Sequence, residues 1–123
     1  MIYAIDFDGT IVKHDYPHLG EPVPGALEGM RELVEEGHQI ILYTMRDGRE
    51  LAAAVAYLEG AEIPLFGVNE NPDQTWSTSP KVYAHRYIDD SALGCPLRYP
   101  LKGSGEKRPW VDWDQVMWVI RTS

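Results

Sequence analysis

Apolar positions in this chain fall into short unbroken runs that alternate with helical stripes. The first run, Ile2 to Asp6, carries four apolar residues and then a carboxylate, which is the signature of a strand buried on both faces. Pro24 to Glu36 follows with Leu27, Met30, Leu33 and Val34 on one helical face, Pro24 suited to the first turn and Gly37 to the cap beyond the last. Gln39 to Tyr43 is a second buried strand. Gly48 to Leu58 is a second helix, with Leu51, Ala54, Val55 and Leu58 on one side and Gly60 to end it. Ile63 to Val68 is a third strand. Asn69 to Pro80 has no periodicity and reads as a polar loop, with Trp76 more readily a packed plug than a substrate-facing aromatic. Arg86 to Asp89 is a fourth strand, and Leu97 to Leu101 is a candidate short fifth. A last helix spans about 112 to 121. Asp112 caps it, Gln115 stands at the third position of a capping box, and Trp113, Val116, Met117 and Ile120 form its apolar face.

Alternation of strand and helix implies a parallel sheet with right-handed crossovers. The expected fold is a three-layer, Rossmann-like α/β domain over residues 1 to 123. Its strand order is 3-2-1-4, with the candidate fifth strand at its margin. The first strand is then central, and its following loop lies where such sheets bind ligands.

Composition narrows the function. An excess of 19 Asp and Glu over 11 Lys and Arg gives a net charge of −8, which repels nucleic-acid backbone and membrane surface and attracts divalent cations. The single cysteine, Cys95, rules out an internal disulfide, and no apolar run has transmembrane length. The N-terminal run has no basic region before it and is broken by Asp6, so a cytoplasmic location is expected.

The candidate chemistry lies at the strand ends. Asp6 and Asp8 follow the first strand, Thr44 the second, and Asp89 and Asp90 the fourth, with Lys81 ahead of the fourth. Carboxylates that converge repel one another and resist ionisation without a counter-charge. Mg²⁺, a hard cation that takes oxygen ligands, supplies it. The same Asp-Gly run also has a plainer reading as a surface turn. His14, His18, His38 and His85 have no metal-ligand spacing and read as surface or supporting residues. Arg46 either binds an anionic part of a substrate or makes a structural ion pair. The basic residues Arg98, Lys102, Lys107 and Arg108 surround a Gly turn and read as a solvated loop.

The run DFDGT, Asp6 to Thr10, resembles the first signature of the haloacid dehalogenase-like (HAD) phosphohydrolase superfamily. Thr44 is similar to its second signature, Lys81 to its third and Ile88-Asp89-Asp90 to its fourth, a match over roughly Met1 to Gly94. The resemblance implies a Mg²⁺-dependent phosphatase that works through an aspartyl-phosphate on Asp6. Asp8 is then the acid and base. Asp6, the Asp8 carbonyl and Asp89 hold the metal, Thr44 and Lys81 bind the phosphoryl oxygens, and Thr10 and Asp90 support them. The gaps from Ile11 to Val23 and from Asn69 to Pro80 leave no room for a cap domain, so the site is expected to be open. A bulky substrate or a second copy of the chain is then needed to cover it. The expected substrate is a small phosphorylated metabolite, a sugar phosphate or nucleotide. A phosphorylated macromolecular end and a non-catalytic phosphate or metal sensor are the competing readings.

Overall fold

A computed structural model describes all 123 residues. Its centre is a parallel sheet of four strands in the order β3-β2-β1-β4. The strands are β1 (Ile2–Ile5), β2 (Gln39–Leu42), β3 (Gly67–Val68) and β4 (Arg86–Ile88). Ile5 lies opposite Leu42 on one side and Ile88 on the other, so β1 is central, as its apolar sequence requires. The helices are α1 (Ala26–Glu35), α2 (Gly48–Gly60) and α3 (Trp113–Thr122). No helix is long and apolar enough to cross a membrane.

Side chains of a strand alternate between faces, and the two faces of this sheet are covered differently. Tyr3, Ile5, Ile40, Leu42 and Ile88 enter one continuous core with Met30 and Leu33 of α1, Ala54 and Leu58 of α2, and Trp113, Val116 and Met117 of α3. Burial of these aliphatic and aromatic groups contributes about 1.5–3 kcal/mol for each large side chain. Gly29 lets α3 lie close against α1, since a Cβ there would press on the Trp113 ring and the Met117 side chain. Ala4 and Ile41 are also buried but lie outside that core. On their face the Tyr87 hydroxyl donates to the Val82 carbonyl (2.6 Å), and the Ala84 amide donates to the same hydroxyl (3.2 Å). The layer over this face is therefore irregular chain, in keeping with the lack of periodicity and the prolines between Asn69 and Lys81.

Three sequence expectations need adjustment. Leu97–Arg98 does form a strand, β5, but it pairs antiparallel with Trp110–Val111, β6, in a separate small sheet rather than extending the central one. The third strand is only two residues long: Ile63 is buried in the core, ahead of Pro64, without joining the ladder. Trp76 is not a plug. It is 65% exposed and meets only the edge of Tyr83, at 5.3 Å between ring centres. The cap of α3 is as expected in its main bond, with the Gln115 amide donating to Asp112 Oδ1 (3.2 Å), while the Gln115 side chain donates to Asp112 Oδ2 (2.8 Å).

The segment between Thr10 and Val23 folds back over the end of β1. Val12 bridges to both Asp8 and Pro22, and the Lys13 amide donates to the Glu21 carbonyl (2.8 Å). The small sheet is fixed to the same place, because the Val111 amide donates to the Gly9 carbonyl (2.9 Å) and the Trp113 indole to the Thr10 carbonyl (2.7 Å).

Candidate metal centre

The parallel ladders aim the ends of β1 and β4 at the same point. The Asp6 amide continues the sheet by donating to the Ile88 carbonyl (2.9 Å), so the carboxylates that follow β1 and β4 are neighbours by construction. Asp6, Asp89 and Asp90 each present a carboxylate oxygen within 4.8 Å of the other two. Thr10, fully buried, ties the cluster together. Its hydroxyl donates to Asp6 Oδ2 (3.1 Å) and accepts from the Asp90 amide (3.2 Å). The Ser91 amide donates to Asp89 Oδ1 (2.9 Å).

No Lys or Arg pairs with this cluster. Burial, followed by the nearby charge of Asp89 and then by Asp90, pushes the Asp6 carboxyl up to about 8. Burial also raises Asp89, with the charge of Asp90 adding to it. Both shifts have the sign expected when ionised carboxylates are gathered in a partly desolvated place. A divalent cation removes that conflict, and a set made only of carboxylate oxygens suits a hard ion. The residues present therefore fit a divalent metal such as Mg²⁺.

Asp8 stands two residues from Asp6 and is treated in the opposite way. Arg46 Nε donates to its Oδ2 (2.8 Å) and Arg46 Nη2 to its Oδ1 (2.7 Å), a two-pronged ion pair. The guanidinium is 2% exposed and also donates to the carbonyls of Pro17 (3.3 Å), His18 (2.6 Å) and Glu50 (3.4 Å). All five of its N–H groups are thereby used inside the protein. Hydrogen bonding to Asp8, which outweighs burial, lifts the Arg46 pKa above its ordinary value. Of the two roles the sequence left open for Arg46, the arrangement is that of a structural clamp.

The remaining site residues take distinct positions. The Thr44 hydroxyl accepts from the Arg46 amide (3.1 Å) and keeps its own hydrogen free to donate, while the Thr44 amide donates to Asn69 Oδ1 (2.8 Å). Lys81 is exposed, takes part in no ion pair, and holds its ammonium 5.8 Å from the centre of the Tyr87 ring. Two residues at the site carried no signal in the sequence. Asn69 reaches Thr44 from an unusual positive-φ backbone (55°), and its Asn-Glu-Asn-Pro context reads only as a turn. His14 Nε2 lies 2.7 Å from Asp90 Oδ2, and nothing in the spacing of the histidines distinguishes it from the other three.

The molecule is thus an α/β domain with HAD-like topology, without a separate cap, and with a carboxylate cluster competent to hold a divalent cation. No protein-family model and no curated protein matches the chain. Among solved structures it is similar to a conserved protein from Bacteroides thetaiotaomicron, with 31% sequence identity and a TM-score of 0.79. The match covers 99% of this chain and 90% of that one. By identity and by fold, the chain belongs to the family of this conserved Bacteroides thetaiotaomicron protein.

Proposed function

We propose that the chain is a Mg²⁺-dependent phosphomonoester hydrolase of the HAD superfamily, acting on a small phosphorylated metabolite through an aspartyl-phosphate on Asp6. The observation that carries this reading is the convergence of Asp6, Asp89 and Asp90 at the ends of two adjacent strands, directly in the DFDGT and IDD runs. In this reading Asp6, Asp89 and the Asp8 carbonyl hold Mg²⁺, with Asp90 beside them. When bound there, the ion would offset the repulsion between an anionic nucleophile and a phosphate dianion and stabilise charge on the transferring phosphoryl group.

The chain's own groups then divide the work. Asp6, once deprotonated, forms a bond from a carboxylate oxygen to phosphorus as the ester bond to the leaving oxygen breaks. That oxygen takes a proton from Asp8. In the second step water attacks the phosphorus, Asp8 accepts its proton, and the bond to Asp6 breaks to release inorganic phosphate and restore the carboxylate. Each Asp8 oxygen has one lone pair occupied by Arg46 and another left for this traffic. The free Thr44 hydroxyl hydrogen and the unpaired Lys81 ammonium would bind the phosphoryl oxygens.

A cleft of about 630 Å³ lies beside the loop that carries His14, lined by Lys13, Pro24, Arg98, Tyr99 and Trp110 among others and by none of the three clustered carboxylates. Phosphate release with Mg²⁺ from a panel of sugar phosphates, nucleotides and end-phosphorylated oligonucleotides tests the proposal. The expected result is turnover of at least one small monoester that stops on chelation. Absence of release above background from every member of the panel would contradict it.

A further inference from the structure

We propose that His14 is a positioning residue that holds Asp90 in the orientation needed for cation binding, an inference that rests on the metal-dependent reading above. Its Nε2 donates to Asp90 Oδ2 at 2.7 Å, and both side chains are largely buried, 17% and 8% exposed. The imidazole makes no other side-chain hydrogen bond, so orienting Asp90 is the whole of its polar role. Beneath the pair lies Gly9, in a positive-φ conformation (83°), and a Cβ there would collide with both the Asp90 carboxyl and His14 Nε2. The turn after Asp8 therefore needs a glycine for two reasons, its backbone conformation and the room that it leaves for this contact.

The loop that presents His14 is itself fixed. Arg46 grips the Pro17 and His18 carbonyls from below, and the bridges of Val12 to Asp8 and Pro22 hold its base. His14 is thus delivered to Asp90 by a loop whose other anchor is the Asp8 clamp. Without that contact, the charge of neighbouring Asp89 favours rotation of the Asp90 carboxyl away from the cluster. With Oδ2 held, the carboxyl keeps a fixed orientation toward the other two. Groups that orient metal-binding carboxylates in this way typically contribute 10- to 100-fold in metal affinity.

The test is calorimetric titration of the whole chain with MgCl₂, for the wild type and for His14→Ala, His14→Asn and His14→Gln, with melting of each variant in the absence of metal as a control. Gln can place an amide nitrogen near the position of Nε2, whereas Ala has no donor and Asn is too short. The expected result is a dissociation constant raised by about tenfold or more in His14→Ala and His14→Asn. His14→Gln is expected to stay within about threefold of wild type, and each variant is titrated well below its own metal-free melting temperature, so that a loss of affinity is not a loss of fold. Ala and Asn variants that bind as tightly as wild type would overturn the role of His14 while leaving the metal site intact. A Gln variant as weak as Ala would also overturn it. A wild type that binds no Mg²⁺ would overturn the functional reading itself, and this inference with it.

Discussion

Asp6 and Asp8 stand at either side of Phe7 and meet opposite electrostatic surroundings. Asp8 has a buried guanidinium bonded to both of its oxygens, and its charge is compensated within the chain. Asp6 has carboxylates, the Thr10 hydroxyl and the Phe7 amide for polar neighbours but no guanidinium or ammonium, and its pKa is pushed up to about 8. The difference separates a carboxylate whose charge a buried guanidinium balances from one that no Lys or Arg balances. A compensated carboxylate can build structure: Arg46 uses Asp8, two loop carbonyls and one carbonyl of α2 to pin the segment over β1. An uncompensated cluster destabilises the fold that holds it, which is expected where a protein keeps a place for a ligand of opposite charge.

The sharpest way to break this comparison is to neutralise each carboxylate in turn. Asp6→Asn is expected to lower turnover of the proposed phosphatase reaction by more than about a thousandfold, since it removes the proposed nucleophile. The same variant, free of metal at pH 8, should melt at a higher temperature than wild type, because it removes a charge that the fold does not compensate. A drop in melting temperature would show that Asp6 is compensated after all.

Removal of the cation on the other side should act in the opposite direction. Arg46→Met leaves the Asp8 charge without its partner in a partly buried place and is expected to cost about 3–5 kcal/mol in urea unfolding. Arg46→Lys should recover little of it, since a point-like ammonium cannot serve five acceptors in a fixed plane.

The pH dependence of stability distinguishes the halves without mutation. Asp6 is raised from 3.8 to about 8, so between those values the folded state holds a proton that the unfolded chain has released. This contribution to stability is present in full below about pH 4 and is lost as pH rises through about 8. Thermal melting without metal should show that decline, and saturating Mg²⁺ should flatten it by binding the deprotonated cluster. A decline of the same size in Asp6→Asn would assign it to other groups.

The smallest effect expected concerns the neutral support that both halves share. Trp113→Phe keeps the ring in the core and removes the indole donor to the Thr10 carbonyl (2.7 Å). A loss of about 1–3 kcal/mol is expected, because the acceptor is left buried. Retention of metal affinity in that variant would show that this bond supports the fold and not the cation site.

The centre of the sheet was legible because β1 and β2 are apolar runs that end in residues such a run does not tolerate in its middle. Asp6 and Thr44 mark those ends, Asp89 marks that of β4, and chain order did the rest. The separate β5-β6 sheet was not legible: Trp110–Val111 is two residues long, bounded by Pro109 and Asp112, and too short to show a period. The metal cluster could be read as a set of strand ends, while the division of labour within it could not. Nothing in Thr44-Met45-Arg46 shows that the arginine turns inward, because four of its five acceptor atoms belong to Asp8, Pro17 and His18, far away in the chain. His14 was hidden for the same reason, since its contact with Asp90 spans 76 positions of sequence and depends on the path of a loop.

The central claim is that Asp6, Asp89 and Asp90 form a cation site that no Lys or Arg of the chain compensates. Calorimetric titration of the wild type with Mg²⁺ at pH 7, repeated in two buffers of different ionisation enthalpy, tests it most directly. The account predicts one ion bound per chain and net proton release, because the Asp6 carboxyl is largely protonated until the metal arrives. Absence of saturable binding at millimolar Mg²⁺, or binding of unchanged affinity and stoichiometry in Asp6→Asn, would contradict it.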